Sequence, residues 1–440
     1  MIIDSPFFMF FCFLLLILLG IPIVFAMIIM GVAFVIFFGG GIEAIITPFH
    51  RLGLAFSFSL IAVFFFITLG KIMNESKISD YLINFVRQLI RRFNIQGATG
   101  IITILSCAAC GPLTGSAVGT TTAVGGIMIP QMNKIGYDYK YSTTLLAYSG
   151  ILGSFIPPSI SGLIYAIIVG LSVFTVWTAV CGAGLLYMLS LVVGHYILSK
   201  KRNYEHYDSF NDSFNESKEN LYKTFIKALP ALIVPVGVLG SIYGGIATPT
   251  EAGSVGVLIT LLLGIFVYKT IYSVKQIIKV LYTSAVQTAI VMFLVCGSFS
   301  LSYSLTVTGV VKDIARSMLL LSSNKYILLL LTEGLLLILG CFLDDTPIMI
   351  LLAPIASAIL IPVGIHPYHL ATVFVYVCLV GLVTPPVGTV LYAASAVSKV
   401  SIGKILKELL IFFIPALVIL LLITFFPQIS FFLPKLFGLL

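Results

Sequence analysis

The sequence predicts an all-α polytopic membrane protein built from two repeats, and three observations carry that expectation. Of its 440 residues 60% are hydrophobic and only 9% charged, against about 25% charged in a soluble domain. Landmark residues recur about half a chain length apart. In both halves, proline, glycine and small polar residues interrupt the apolar segments at corresponding places.

Composition decides the solvent. So few charges cannot cover a water-soluble protein of this length, so a lipid bilayer must cover much of its surface. Runs such as Phe7–Phe38, Leu171–Val193, Ile327–Leu343 and Leu409–Phe426 approach or exceed the roughly 20 apolar residues that a helix needs to cross the hydrocarbon core. A transmembrane β-barrel would show short alternating stretches instead, so the spanning elements are helices. Met1–Ile21 has no basic start and no small-residue cleavage site, and it reads as a retained first helix, not a signal peptide.

The net charge of +8 comes from basic residues gathered in Lys77–Arg92, Lys200–Lys223 and Lys269–Lys279. That clustering is the positive-inside pattern of cytoplasmic loops and gives no reason to expect nucleic acid. All seven cysteines lie in apolar segments. Cys107 and Cys110 have CxxC spacing without a second pair or a histidine partner, so they read as small residues at helix contacts. His366 and His369 have no cysteine or carboxylate nearby to complete a metal site. There is no GxxxxGK[ST] loop for ATP and no Ser-His-Asp or metallopeptidase signature, so the chain does not read as an enzyme.

Residues 76–93 do not read as a span. Ile78, Leu82, Phe85, Leu89 and Phe93 mark one helical face, and Lys77, Asp80, Arg87, Arg91 and Arg92 fill the remainder. Such a helix lies along the membrane surface, either as an arm joining a fixed scaffold to a moving element or as a passive anchor.

The repeat is read from three landmarks. Pro157-Pro158 and Pro385-Pro386 are offset by 385 − 157 = 228, and the turns at Gly136 and Gly364 by 364 − 136 = 228. Pro22 and Pro249 add 249 − 22 = 227. The chain therefore divides into a first repeat, 1–210, and a second, 220–440, joined by a charged cytoplasmic linker at 200–223. Repeated halves, often of inverted topology, are the usual plan of secondary transporters.

Each half is interrupted twice. Arms too short to cross comfortably flank the tips Cys110–Thr122 and Phe342–Pro347, which predicts re-entrant hairpins at about 98–132 and 327–361. The prolyl pairs predict broken helices at 157–158 and 385–386, because proline lacks an N–H and disfavours helix in the residue before it. Unwound backbone at membrane depth is tolerated where it is buried in protein or lines a wet cavity. There its carbonyls suit Na⁺ and the half-helix N-termini suit an anion. Thr114, Ser116, Thr121, Pro158, Ser159, Pro386 and Thr389 are the candidates for substrate, and Gly115, Ser116, Asp344, Asp345, Thr384 and Gly388 for Na⁺. The bland reading is that these small residues only let helices approach closely. Asp344 and Asp345 could bind Na⁺, carry a proton, or cap the returning helix. Glu251 reads as a structural residue of a helix first turn; buried-looking Glu333 carries no assignment.

Five stretches together resemble the large membrane subunit of TRAP transporters, the tripartite ATP-independent periplasmic systems of the DctM type. They are Leu113–Gly125, Ile129–Tyr137, Ile156–Ile160, Ala247–Ala252 and Gly381–Gly388, in the family order across nearly the whole chain. The resemblance implies an elevator-type protein with inverted repeats, a scaffold, arm helices and a transport domain with two hairpins. It implies Na⁺-coupled import of an organic acid (a C4-dicarboxylate, a sialic acid or a related carboxylate) across the bacterial inner membrane, with no ATP. The acid is delivered by a periplasmic binding protein, and a small four-helix membrane subunit is expected as a separate chain, since no such segment precedes the first repeat. Thr114, Gly115, Ser116, Thr384 and Pro385 match the family's ion and substrate region by position. Gly119-Thr120-Thr121 stands where many members carry an acid, and Lys71 where they often carry Glu. The competing readings are a stand-alone Na⁺/carboxylate symporter of the same superfamily, and a channel or structural membrane subunit.

Overall fold

Helices make up all the regular structure among the described residues, which in this computed structural model are 12–13, 15–16, 19–38, 58–93, 95–204, 221–307, 316, 322 and 324–440. Most of the first helix expected at Met1–Ile21, and linker residues 205–220, lie outside them. Five of the described helices are long and apolar enough to cross a bilayer: Val173–Lys201, Leu221–Tyr243, Pro249–Val267, Val274–Leu305 and Ile402–Phe425. The chain is a multi-pass membrane protein.

The first half runs α1 (Ile23–Phe38), α2 (Phe58–Glu75), α3 (Ile78–Ile90), α4 (Ala98–Thr114), α5 (Ala117–Lys134), α6 (Tyr139–Gly150), α7 (Leu152–Phe155), α8 (Ile160–Val169) and α9 (Val173–Lys201). The second runs α10 (Leu221–Tyr243), α11 (Pro249–Leu262), α12 (Val274–Val307), α13 (Lys325–Gly340), α14 (Asp345–Leu360), α15 (Pro367–Gly381), α16 (Thr389–Ser398), α17 (Ile402–Phe425) and α18 (Gln428–Leu436). Helix starts keep the landmark spacing: 345 − 117 = 228, 367 − 139 = 228 and 402 − 173 = 229.

Local chemistry sets the boundaries. Ser116, Asp138, Ser159 and Ser172 cap α5, α6, α8 and α9, each side chain accepting a backbone N–H, one of the donors that a helix start leaves unpaired. Thr248 and Glu251 form a reciprocal capping box at α11, so Glu251 is a structural group. The segments α6–α7 and α8 meet at the first prolyl pair with a 45° bend. Both prolyl pairs are joined by cis peptide bonds.

Packing groups the helices into two neighbourhoods that meet where α2 packs on α4 and α12 on α14. Helix α1 packs on α12, while α2 packs on α11 and α12. The hairpins α4–α5 and α13–α14 surround α6–α9 and α15–α17, with α15 buried along almost its whole length. A helix that is apolar on every side belongs in such a core. In both hairpins the first arm crosses the helix before the prolyl break at glycine. A Cβ on Gly111 would sit 3.0 Å from the Gly153 Cα, and one on Gly340 would sit 2.8 Å from the Gly381 Cα. The backbones are in contact there, and no side chain fits between them.

The surface helix expected at 76–93 forms as α3 followed by a short 3-10 turn, Arg91–Phe93. Ile78, Leu82, Ile83, Val86 and Ile90 are buried where α3 packs against α4 of the first hairpin and against α10. The face that meets protein is therefore rotated from the expected one: Ile78 and Leu82 are buried with Ile83, Val86 and Ile90, while Leu89 and Phe93 are exposed. Arg87 Nη2 donates to Gln131 Oε1 of α5 at 2.7 Å, so the helix ties α10 to both arms of the hairpin.

Candidate functional site

The two hairpin tips and the two prolyl breaks come together. Each tip is bonded to the break in its own half by a backbone hydrogen bond: Ile160 N–H donates to the Gly115 carbonyl at 3.0 Å, and Gly388 N–H to the Cys341 carbonyl at 3.0 Å. Those donors are spaced by 388 − 160 = 228. The halves also cross over. Helix α8, beyond the first break, packs on α14 of the second hairpin, and α16, beyond the second break, packs on α5 of the first.

Gly115 ends α4 at φ +62°, a left-handed conformation that glycine adopts without a Cβ penalty. A Cβ there would also come within 3.3 Å of Ile160. Ser116 then starts α5. The Thr114 hydroxyl is turned into the hairpin, 2.5 Å from Thr120 Oγ1. Thr121 is buried and donates to the Ala117 carbonyl at 2.8 Å, and its side chain fills the space a Cβ on Gly150 would need. It locks α5 to α6 below the tip.

At the first break Pro158 and Ser159 are buried. Trp177 Nε1 donates to the Ser159 carbonyl at 2.9 Å and holds the unwound turn against α9. At the second break Thr384 donates to its own helix at Val380, 2.8 Å away, while Pro386 is exposed. Gly388 has φ +61° and is the residue that turns the chain into α16.

Asp344 and Asp345 gather the hydroxyls. Ser161, one turn beyond the first prolyl pair, donates to Asp345 Oδ2, and Thr389 donates to Asp344 Oδ1 at 3.1 Å. Ser161 and Thr389 are 389 − 161 = 228 residues apart, one in each half. Asp344 occupies the N-cap position of α14 yet makes no side-chain cap bond. Asp345 is 9% exposed. Among the described residues neither carboxylate is in an ion pair with a lysine or arginine. Two adjacent acids without a cationic partner, one of them (Asp345) buried, are costly unless a proton or a cation joins them.

Four contacts here were not anticipated from the sequence. These are the Ser161–Asp345 bond, the Trp177 clasp, the Cys341 carbonyl, and the approach of α2 to the first tip. A Cβ on Gly70 would lie 2.7 Å from the Thr114 carbonyl oxygen, so α2 backs directly onto the hairpin. The spacing of 228 applied to Ser161 is the one signal that could have marked its partnership with Thr389. Glu333 of α13 is buried and accepts from Thr424 of α17 at 2.7 Å.

Comparison with known proteins fits this architecture to a family. The profile described as "Tripartite ATP-independent periplasmic transporter, DctM component" matches residues 10–429. The sialic acid TRAP transporter large permease protein SiaM of Vibrio cholerae is 31% identical, over 95% of this chain and 96% of its own length. The C4-dicarboxylate TRAP transporter large permease protein DctM of Pseudomonas aeruginosa is 32% identical over 87% of each. The isethionate TRAP transporter permease protein DctMQ of Oleidesulfovibrio alaskensis is 32% identical over 86% of this chain but only 58% of its own length. These relatives are transporters, not enzymes. With the family profile covering nearly all of its length, the chain belongs to the DctM family, the large permease component of tripartite ATP-independent periplasmic transporters.

Proposed function

We propose that this chain is the large permease of a Na⁺-coupled importer of an organic acid, working in the bacterial inner membrane. A periplasmic binding protein delivers the acid, and a small membrane subunit completes the complex. The observation that carries the reading is the convergence of hydroxyls from both halves on the unpaired Asp344–Asp345 carboxylates. Ser161 and Thr389 supply them at equivalent positions. Na⁺ takes oxygen donors, and carboxylate, hydroxyl and unwound-backbone carbonyl groups are the donors present. The N-termini of α8 and α16, at the prolyl breaks, are favourable places for the substrate carboxylate.

The helices beside the site make up the moving part, and α1, α2, α10, α11 and α12 the fixed part, in an elevator built on two inverted repeats. The 228-residue spacing of helix starts supports the repeats. The arm α3, packed on both α4 and α10, supports the division. Substrates named for the relatives, sialic acid and C4-dicarboxylates among them, set the class of cargo.

The test is reconstitution in proteoliposomes with the small subunit and binding protein, following radiolabelled acid under an imposed Na⁺ gradient. Saturable uptake that needs both Na⁺ and the binding protein is expected. Uptake without any binding protein would instead assign a stand-alone symporter, and uptake indifferent to Na⁺ would remove the coupling.

A further inference from the structure

A second polar–apolar constellation lies away from the hairpins, where the end of α2, the end of α11 and the start of α12 meet. Helix α11 closes in a π-turn, Leu263–Val267, an irregularity often found at functional positions. The chain then folds back, with Thr270 and Ile271 N–H donating to the Gly264 carbonyl at 2.9 and 3.3 Å. The widened end leaves a cavity of about 60 Å³ with Ile72, Val257, Leu261, Ile277 and Val280 in its walls. That is far below the roughly 300–1,000 Å³ of a site enclosing a whole small molecule. It suits a segment of chain whose remainder lies in the bilayer.

The rim has the opposite character. Glu75, Thr270 and Gln276 are the polar residues of the lining. Lys269 precedes Thr270, and Lys275 and Lys279 stand on the first turns of α12, all three exposed. None of the three is in an ion pair among the described residues. The α12 N-terminus adds its dipole. Tyr272 and Tyr282 are 81% and 69% exposed nearby, as aromatic residues are at the level of lipid headgroups. The same lysines place this rim on the cytoplasmic side, where anionic lipid is concentrated.

We propose that this junction binds an anionic phospholipid, with the phosphodiester held by Lys269, Lys275 and Lys279 and the upper acyl chain seated in the cavity. Charge complementarity selects the headgroup, and the apolar wall selects a lipid over a free anion. The site lies between α2, α11 and α12, away from the hairpin tips, so binding there does not depend on the transport reading.

The experiment is native mass spectrometry of the full-length protein, released from detergent after incubation with phosphatidylglycerol or phosphatidylethanolamine. The wild type is expected to retain phosphatidylglycerol at least 5-fold better than phosphatidylethanolamine. The triple variant Lys269→Gln, Lys275→Gln, Lys279→Gln is expected to lose that preference. Val257→Phe, which fills the cavity and leaves the lysines, should lower phosphatidylglycerol retention on its own. Circular dichroism of both variants checks that they are folded. Equal retention of the two lipids by the wild type would overturn the proposal, as would undiminished phosphatidylglycerol retention by the folded triple variant. So would displacement of the bound lipid by millimolar inorganic phosphate, which would reassign the rim to a free anion.

Discussion

The Ser161 hydroxyl, just beyond the first prolyl pair, donates a hydrogen bond to the Asp345 carboxylate at the tip of the other half's hairpin. The two residues are 184 apart in sequence, so this bond exists only when both halves are assembled around the site. A hydrogen bond to a charged group contributes about 1.5–3 kcal/mol, roughly 10- to 150-fold in an equilibrium constant. Ser161→Ala should therefore raise the Na⁺ concentration for half-maximal uptake about 10-fold or more. Asp345→Asn should remove most Na⁺ dependence, and Asp344→Asn should do less, because Asp344 is exposed. The measurement is uptake against Na⁺ in proteoliposomes, and an unchanged half-saturation in Ser161→Ala and Asp345→Asn would sink the assignment.

Gly70 offers a test of the contact between α2 and the tip of the first hairpin. Its missing side chain lets α2 approach the Thr114 carbonyl, which a Cβ would meet at 2.7 Å. A backbone oxygen cannot rotate away as a flexible side chain can. Gly70→Val should therefore hold the hairpin off α2, costing about 1–3 kcal/mol in the docked arrangement. Uptake is expected to fall about 10-fold or more while the protein stays monodisperse in detergent. Wild-type uptake by this variant would show that the contact has no part in transport.

The helical membrane class is legible from composition alone, because 9% charged residues leave no soluble alternative. The positions of breaks are equally legible: Pro157-Pro158, Pro385-Pro386, Gly115 and Gly388 act through their own backbones and need no partner. The functional groups behave differently. Thr121 and Thr384 carry the same hydroxyl as Thr389, yet their bonds go to helix carbonyls four residues back, while Thr389 reaches Asp344. Which hydroxyl turns inward depends on a neighbouring helix far away in sequence, and no local pattern encodes that. The arm α3 shows the same limit. Its amphipathic period is plain, but whether lipid or protein meets the apolar face is decided by α4 and α10.

The crossing of α13 over α15 gives a stability prediction with an internal control. A Cβ on Gly381 would lie 2.6 Å from the Gly340 Cα, whereas one on Gly334 would meet nothing within 4 Å. Gly381→Ala must push two backbones apart, and a loss of about 1–3 kcal/mol is expected. Gly334→Ala adds a methyl in open space within a helix, where alanine is favoured by up to about 1 kcal/mol. Thermal unfolding in detergent should thus move the two variants in opposite directions. A shared direction would mean that the crossing is not close-packed.

His195 joins three elements at the base of the first hairpin, and its bonds specify its tautomer. Nε2 lies 2.9 Å from the Gly97 carbonyl, which can only accept, so Nε2 carries the hydrogen. In the neutral ring Nδ1 then accepts from the Tyr141 hydroxyl at 2.8 Å. The ring stacks on Tyr137 at 6.1 Å between centroids, and it occupies the space where Gly97 and Gly100 have no side chains. His195→Ala would leave a cavity and an unpaired Tyr141 hydroxyl, and would leave the Gly97 carbonyl only its bond from Ile101 N–H at 3.2 Å. A loss of about 2–5 kcal/mol is expected from terms of this kind. Tyr141→Phe removes only the donor to Nδ1 and should cost about 1 kcal/mol. His195→Gln, whose amide N–H can still reach the Gly97 carbonyl, should recover part of the difference. Denaturant unfolding of the three variants orders them, and a His195→Ala protein as stable as Tyr141→Phe would show that the ring does not hold the hairpin base together.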